Sequence, residues 1–179
     1  MNECKDIVLD KFDEFIKNGS GWKYSRTKNF YINIAKYQPL SGSSYIELPD
    51  KIRNTKACIN IQNVDDKCFK WCLLASLHPA QKNNTRPSIY KKYWDEIKDT
   101  DITYPVKVDD IKKIEKLNNL SVNVFQYDGK IVSPLYINKT NPYNAINLLL
   151  YENHYVLIKD FNRLMFSITK NNDTIKKNN

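Results

Sequence analysis

The sequence predicts an α+β domain, helices first and an antiparallel β-meander last, on three observations. Apolar residues recur at helical spacing in several stretches before Asn119; the repeat changes to period two after Leu120; and the tight-turn pairs Asp128-Gly129 and Glu152-Asn153 then divide short apolar runs. A chain of 179 residues is long enough to bury a sizeable core, and its twelve tyrosines and seven phenylalanines supply one.

The elements follow in order. Val8, Phe12, Phe15 and Ile16 share a face of a helix over 2–18, which Gly19 ends. Trp22 to Tyr37 reads as a strand carrying Phe30, Ile32 and Ile34 on one side. After the break at Pro39, Ser41 and Gly42 comes an extended piece, SSYIELP, and then a strand from Ala57 to Ile61. The next helix runs from Cys68 to Leu77 and stops before Pro79; it is apolar nearly all round, so it belongs in the core. Asp65 or Asp66 is placed to cap it, worth about 1 kcal/mol. Helices near Ser88 to Lys98 and Asp109 to Leu117 precede the strands. These are 120–126, 130–137 (demoted to an edge or bulged strand by Pro134), 145–151, 154–159 and 164–169. The end, NNDTIKKNN, reads as a tail over 171–179.

Composition excludes some functions. No run approaches the ~18 apolar residues of a membrane span, and MNECKDIVLDKF is too charged for a signal peptide, so an intracellular protein without a membrane partner is expected. The four cysteines are then expected to be reduced. No CxxC pair is present, and His78 falls on a different helix face from Cys68, so neither zinc nor another cofactor is expected. A net charge of +8 suits weak nucleic-acid binding through a basic surface, helped by the interleaved Tyr90, Lys91, Lys92, Tyr93 and Trp94.

The stretch NIQNVDDKCFKWCLLASLHP carries the chemistry. Cys68 opens a helix whose N-terminal partial positive charge favours the thiolate, the nucleophilic form, although the nearby aspartates oppose it. Gln62, six residues upstream, is placed to donate to a developing oxyanion, and Cys72 has no such partner. A thiol nucleophile needs a base, and the chain has two histidines. His78 lies a helix length away, ~15 Å at ~1.5 Å per residue. His154, opening a strand after a tight turn, is the candidate. For the residue that would orient the imidazole, three positions stay open: Asp160, which an extended strand carries ~20 Å away; Asn171, reached by a hairpin about Phe161 and Asn162; and Glu152.

The linked motifs GSGW, PLSGSSYI, INIQN, KCFKW and HYVLIKD, spread over Gly19 to Met165, resemble a domain of large mobile-element and viral polyproteins, where it often precedes a zinc finger and a family B DNA polymerase. The order Gln, Cys, His is also similar to papain-like deubiquitinases, including the viral tegument type. The resemblance implies a papain-like thiol hydrolase, a single catalytic domain over 1–170 with its nucleophile helix packed on the meander. It implies a cysteine protease acting on ubiquitin or a ubiquitin-like protein, with Cys68 as nucleophile, His154 as base and acid, and Gln62 with the Cys68 backbone amide as oxyanion hole. Asp160, at the end of HYVLIKD, would be the orienting residue. A non-catalytic, nucleic-acid-associated module of a replication polyprotein is the competing expectation.

Overall fold

Near-continuous apolar runs in the last third of the chain build a sheet buried on both sides. The structure, a computed structural model, describes residues 44–141 and 145–168. The expected helix over 2–18, the strand over 22–37 and the tail over 171–179 lie outside the described residues. Within them the chain is mixed α and β. It runs through α1 (Asp50–Arg53), β1 (Cys58–Ile59), α2 (Cys68–Leu77), α3 (Pro87–Tyr90), α4 (Ile111–Asn118), β2 (Val122–Tyr127), β3 (Val132–Tyr136), β4 (Ile146–Tyr151), β5 (His154–Ile158) and a helix over 161–168, α5. A 3-10 segment of two turns extends α3 through Lys91–Glu96, and a single 3-10 turn introduces α4 at Val108–Asp110.

The sheet order is β1-β5-β4-β2-β3. This corrects the antiparallel meander. β3 pairs back on β2 as expected, held by a turn in which Asp128 Oδ1 accepts the N–H groups of Lys130 and Ile131. β4 then lies parallel to β2 on its other side, Val122 opposite Ile146 through Tyr127 opposite Tyr151. Pro134, which has no N–H to give, sits on the outermost strand beside a register shift at Val124/Phe125. β4 turns into β5 through Glu152, whose φ of 53° is left-handed, and β5 pairs with the two residues of β1.

Layers on both faces explain the apolar runs. Leu148, Leu150, Tyr155 and Leu157 face α2 and α4, whereas Leu149, Val156 and Ile158 face Leu48, Ile52, Leu164 and Ile168. β5 is buried at all five positions, the pattern of a strand covered on both sides. α2 is the core helix its composition predicts, buried from Cys68 through Ala75. Even Lys70 is buried, and its ammonium meets Asp99 at 3.0 Å, above the ring of Trp94.

A second correction concerns residues 161–168, expected to be turn and strand but helical. Asp160 starts this helix: its Oδ1 accepts the Arg163 N–H at 2.9 Å, and the Leu164 N–H bonds back to its carbonyl at 3.1 Å. Leu164 and Ile168, four apart, both face the core.

Candidate functional site

β5 sits between β1 and β4 in the sheet, and its backbone N–H and C=O groups alternate between these two neighbours. The Lys159 N–H bonds to the Ala57 carbonyl on the β1 side at 2.9 Å, so Leu157 and Tyr155, two and four residues earlier, turn their groups the same way. β1 ends at Ile59, level with Leu157. Among the described residues no strand continues beside Tyr155 on that side, and α2 brings sulfur atoms there. The Tyr155 N–H points at Cys68 Sγ, 3.5 Å away, and Cys72 Sγ–H donates to the Tyr155 carbonyl at 3.3 Å. Two cysteines one helical turn apart thus clasp a single residue of β5.

That residue follows His154. With the Tyr155 nitrogen 3.5 Å from the sulfur, standard peptide dimensions put the His154 Cα no more than about 6 Å from Cys68 Sγ. Cys68 and His154, 86 positions apart in the chain, are thus brought together at the start of α2 and of β5 through the sulfur and the backbone, while the His154 side chain falls on the sheet face of Val156 rather than that of Tyr155. His154 is fully buried; its Nε2 lies 2.8 Å from Asn60 Oδ1, and its ring meets Tyr45 edge to face. His78, as expected, is at the far end of α2, stacked on Tyr93 and bonded to Glu96.

The thiol's electrostatics correct the expectation of an acidified cysteine. Burial pushes Cys68 up to about 11. The N–H groups of Tyr155, Phe69 and Cys68 itself pull it down, but with residue exposure of 1% desolvation dominates, and Asp65 adds to the rise. The helix N-terminus acts in the predicted direction and is outweighed. Asp65 is not the N-cap, a position Lys67 holds without a side-chain bond. Its carboxylate instead ties the loop, accepting the Lys67 N–H, the Trp71 indole N–H and the Asn63 amide N–H, each within 3.1 Å.

Gln62 is exposed on the wall of a cleft of about 670 Å³ at the start of α2, shared with Asn63, Lys67, Trp71 and Trp94. Its backbone N–H is bound to the Thr85 carbonyl at 2.8 Å, so the side chain is the part left to act in the cleft. Asp160 is not beside His154: β5 separates them, its carboxylate is engaged at α5 by Arg163, and its N–H reaches the Ala57 carbonyl. Glu152 forms the left-handed corner of the β4–β5 turn, and Asn171 lies outside the described residues.

Sequence reasoning missed Asn60, although a signal was available. From Ile59 the burial alternates, with Ile59, Ile61 and Asn63 inward and Asn60, Gln62 and Val64 on the other side. INIQN therefore puts Asn60 on the same face as Gln62.

The aromatic residues of the Tyr90–Trp94 segment are used internally. Tyr90 is fully buried with its hydroxyl on the Asn84 carbonyl, Tyr93 stacks on His78, and Trp94 packs on Trp71. Among the described residues there is no group of three or more histidine, cysteine or acidic side chains placed to hold a metal ion, and no helix long and apolar enough to cross a membrane. Compared with protein-family models, curated proteins and solved structures, the chain matches none significantly.

Proposed function

We propose that this protein is a papain-like, thiol-dependent peptidase or isopeptidase in which Cys68 is the nucleophile and His154 the general base and acid. The observation that carries the reading is the meeting of the Cys68 sulfur with the backbone of the residue next to His154, at a helix start whose own N–H groups turn towards that sulfur. In the reaction the imidazole takes the Sγ proton as sulfur attacks the substrate carbonyl carbon. The oxyanion so formed is stabilised by N–H groups at the start of α2 and by the Gln62 amide. Collapse breaks the C–N bond, the imidazolium gives its proton to the departing amine, and a thioester remains. Water, deprotonated by the same imidazole, then releases the acid and restores the thiol.

Ubiquitin or a ubiquitin-like protein is the substrate to try first, because the similarity to papain-like deubiquitinases implies a scissile carbonyl at the end of a flexible, small-residue tail. Cys68 is 1% exposed, so turnover includes a step that uncovers the sulfur. The experiment is labelling with a ubiquitin probe that carries a C-terminal electrophile. Adduct formed by wild type and Cys72→Ala but lost in Cys68→Ala supports the reading. Absence of an adduct, with retained cleavage of other peptides, moves the substrate to a self-encoded polyprotein; inertness to both removes the enzymatic reading.

One observation favours a second reading. The two sulfurs satisfy the backbone of Tyr155 where β1 has ended, which is a structural task needing no reactivity. In a purely structural protein, Cys68→Ser would keep the fold and lose no measurable function.

A further inference from the structure

We propose that the cleft between α4 and the chain leaving β3 binds the sugar–phosphate backbone of single-stranded nucleic acid, with Lys112, Lys116 and Lys139 as the phosphate contacts. The cleft shares no residue with the proposed thiol centre, so it does not depend on the peptidase reading.

The helical repeat builds one side of it. Lys112, Glu115, Lys116 and the C-cap Asn119 stand at i, i+3, i+4 and i+7, so they share one face of α4, and that face lines a cleft of about 690 Å³. Lys139, Thr140 and Asn141 line it from the chain that leaves β3. Glu115 ties the two elements together. Its carboxylate accepts the Tyr136 hydroxyl at 2.6 Å and the Asn138 amide N–H at 2.9 Å, besides the Val122 N–H at 2.7 Å. Asn138 Oδ1 in turn accepts the N–H groups of Thr140 and Asn141, both at 2.8 Å, which fixes the backbone that carries Lys139.

Charge separates this face from the rest of the helix. Lys113, on the neighbouring face, is engaged: its ammonium donates to the Asp101 carbonyl at 3.0 Å and lies 3.9 Å from the Asp101 carboxylate. Lys112, Lys116 and Lys139 are exposed, and among the described residues none of them is in an ion pair. The one carboxylate in the cleft, Glu115, is 7% exposed and already holds three donors. Positive charge is therefore in excess where a ligand would lie.

The neutral groups point to the kind of anion. Asn119, in left-handed conformation at φ 51°, joins Ser121, Thr140 and Asn141 in the lining, and amides and hydroxyls beside lysine are the side chains that contact phosphate and sugar oxygens. Lys112 and Lys116 lie one helical turn apart, about 6 Å, close enough to meet neighbouring phosphates of one strand. The only aromatic residue in the lining is Tyr136, whose hydroxyl Glu115 holds, so the backbone rather than the bases is recognised and no sequence preference is expected. The cleft has the volume of a small-ligand pocket and takes one strand, not a duplex whose major groove alone is ~12 Å wide.

The test is fluorescence anisotropy on the full chain with a labelled oligothymidylate of about ten nucleotides, over a series of salt concentrations. With three phosphates engaged, log Kd is expected to rise with log salt at a slope of about 2. Each of Lys112→Ala, Lys116→Ala and Lys139→Ala is expected to weaken binding about two- to fivefold and to lower the slope by about 0.7. Lys82→Ala, at an exposed lysine outside the cleft, is expected to leave the slope unchanged. The triple variant is expected to lose binding while its circular dichroism stays that of wild type. A duplex of the same length and an oligoglutamate of matching charge serve as competitors; displacement of the strand by either at equal or lower concentration overturns the proposal. Absence of binding at low salt, or a Kd and slope indifferent to the three lysines, overturns it as well. Cys68→Ala is expected to bind the strand as wild type does, so failure of the peptidase reading and failure of this one are told apart.

Discussion

A free cysteine titrates near 8.5, so at pH 7.5 about a tenth of it is thiolate; Cys68, pushed up to about 11 by burial, holds only about 0.03% in that form. Because the thiolate is the species that reacts, iodoacetamide is expected to modify Cys68 about 300-fold more slowly than a small free thiol at that pH, before any further slowing from cover over the residue. The rate is expected to rise tenfold per pH unit up to the edge of unfolding. Trypsin separates the relevant thiols, since Lys56, Lys67, Lys70 and Lys82 place Cys58, Cys68 and Cys72 in different peptides, so mass spectrometry can follow each one. The informative comparison is with a substrate-shaped electrophile, which brings its own carbonyl to the sulfur and lets His154 remove the proton in place. Such a probe is expected to outrun iodoacetamide on Cys68 and on no other cysteine. Alkylation of Cys68 in the resting protein at or above the free-thiol rate would refute the reasoning: it would mean that the helix N-terminus and the histidine, rather than desolvation, set the state of the thiol.

Three further outcomes follow from the same contacts. Burial raises Cys58 to about 12 and Cys68 to about 11, and raises Cys72 as well, so the folded state keeps protons that the unfolded chain gives up above about pH 8.5. Stability is thus full below that pH and falls above it, by about 1.4 kcal/mol per pH unit for each thiol, until pH passes the folded value; urea titrations from pH 7 to 10 check this, and Cys68→Ala should flatten the slope. Asp65→Asn removes one charge that raises Cys68 while leaving an acceptor for the loop, so alkylation at fixed pH should quicken by about twofold, the effect of a weak charge interaction of ~0.5 kcal/mol. Glu115→Ala deprives the Val122 N–H, the Tyr136 hydroxyl and the Asn138 amide of their shared acceptor, and a thermal melt should show a loss of about 3 kcal/mol or more.

What was legible in the sequence had a local cause. The limits of α2 came from the apolar run and Pro79, the β2–β3 turn from Asp128-Gly129, and the edge position of β3 from a proline that cannot donate. The parallel pairing of β4 with β2 had no local cause. Its signal was indirect: NLLLY and HYVLI show no polar alternation because helices cover both faces, a pattern that an exposed meander would not keep. Residues 161–168 misled for a similar reason. Leu164 and Ile168 are spaced for one helical face, yet Asp160 to Arg163 also suits a turn, and only the docking of that face on Ile52 and Val156 decides between them.

The sequence proposes His154 as the partner of Cys68 by elimination, because only one histidine is within reach, whereas the contact of Asn60 with the imidazole depends on where a sheet stops pairing. β1 is two residues long. Had it continued past Ile59, its backbone would have covered the β1 side of Tyr155, and the Asn60 side chain would have been held in the regular rise of the sheet. Ending the strand there frees the Tyr155 N–H and C=O for two sulfurs and lets Asn60 turn to the imidazole. The same break makes the site expensive to lose. Cys68→Ala takes away the sulfur at which the Tyr155 N–H points, which costs about 1 kcal/mol, whereas Cys68→Ser keeps an acceptor there but shortens its reach. A stability loss larger in Cys68→Ala than in Cys68→Ser, together with loss of probe labelling in both, is therefore the result that would give Cys68 both tasks at once; equal stability in the two would remove the strand-edge role and leave the thiol with chemistry alone.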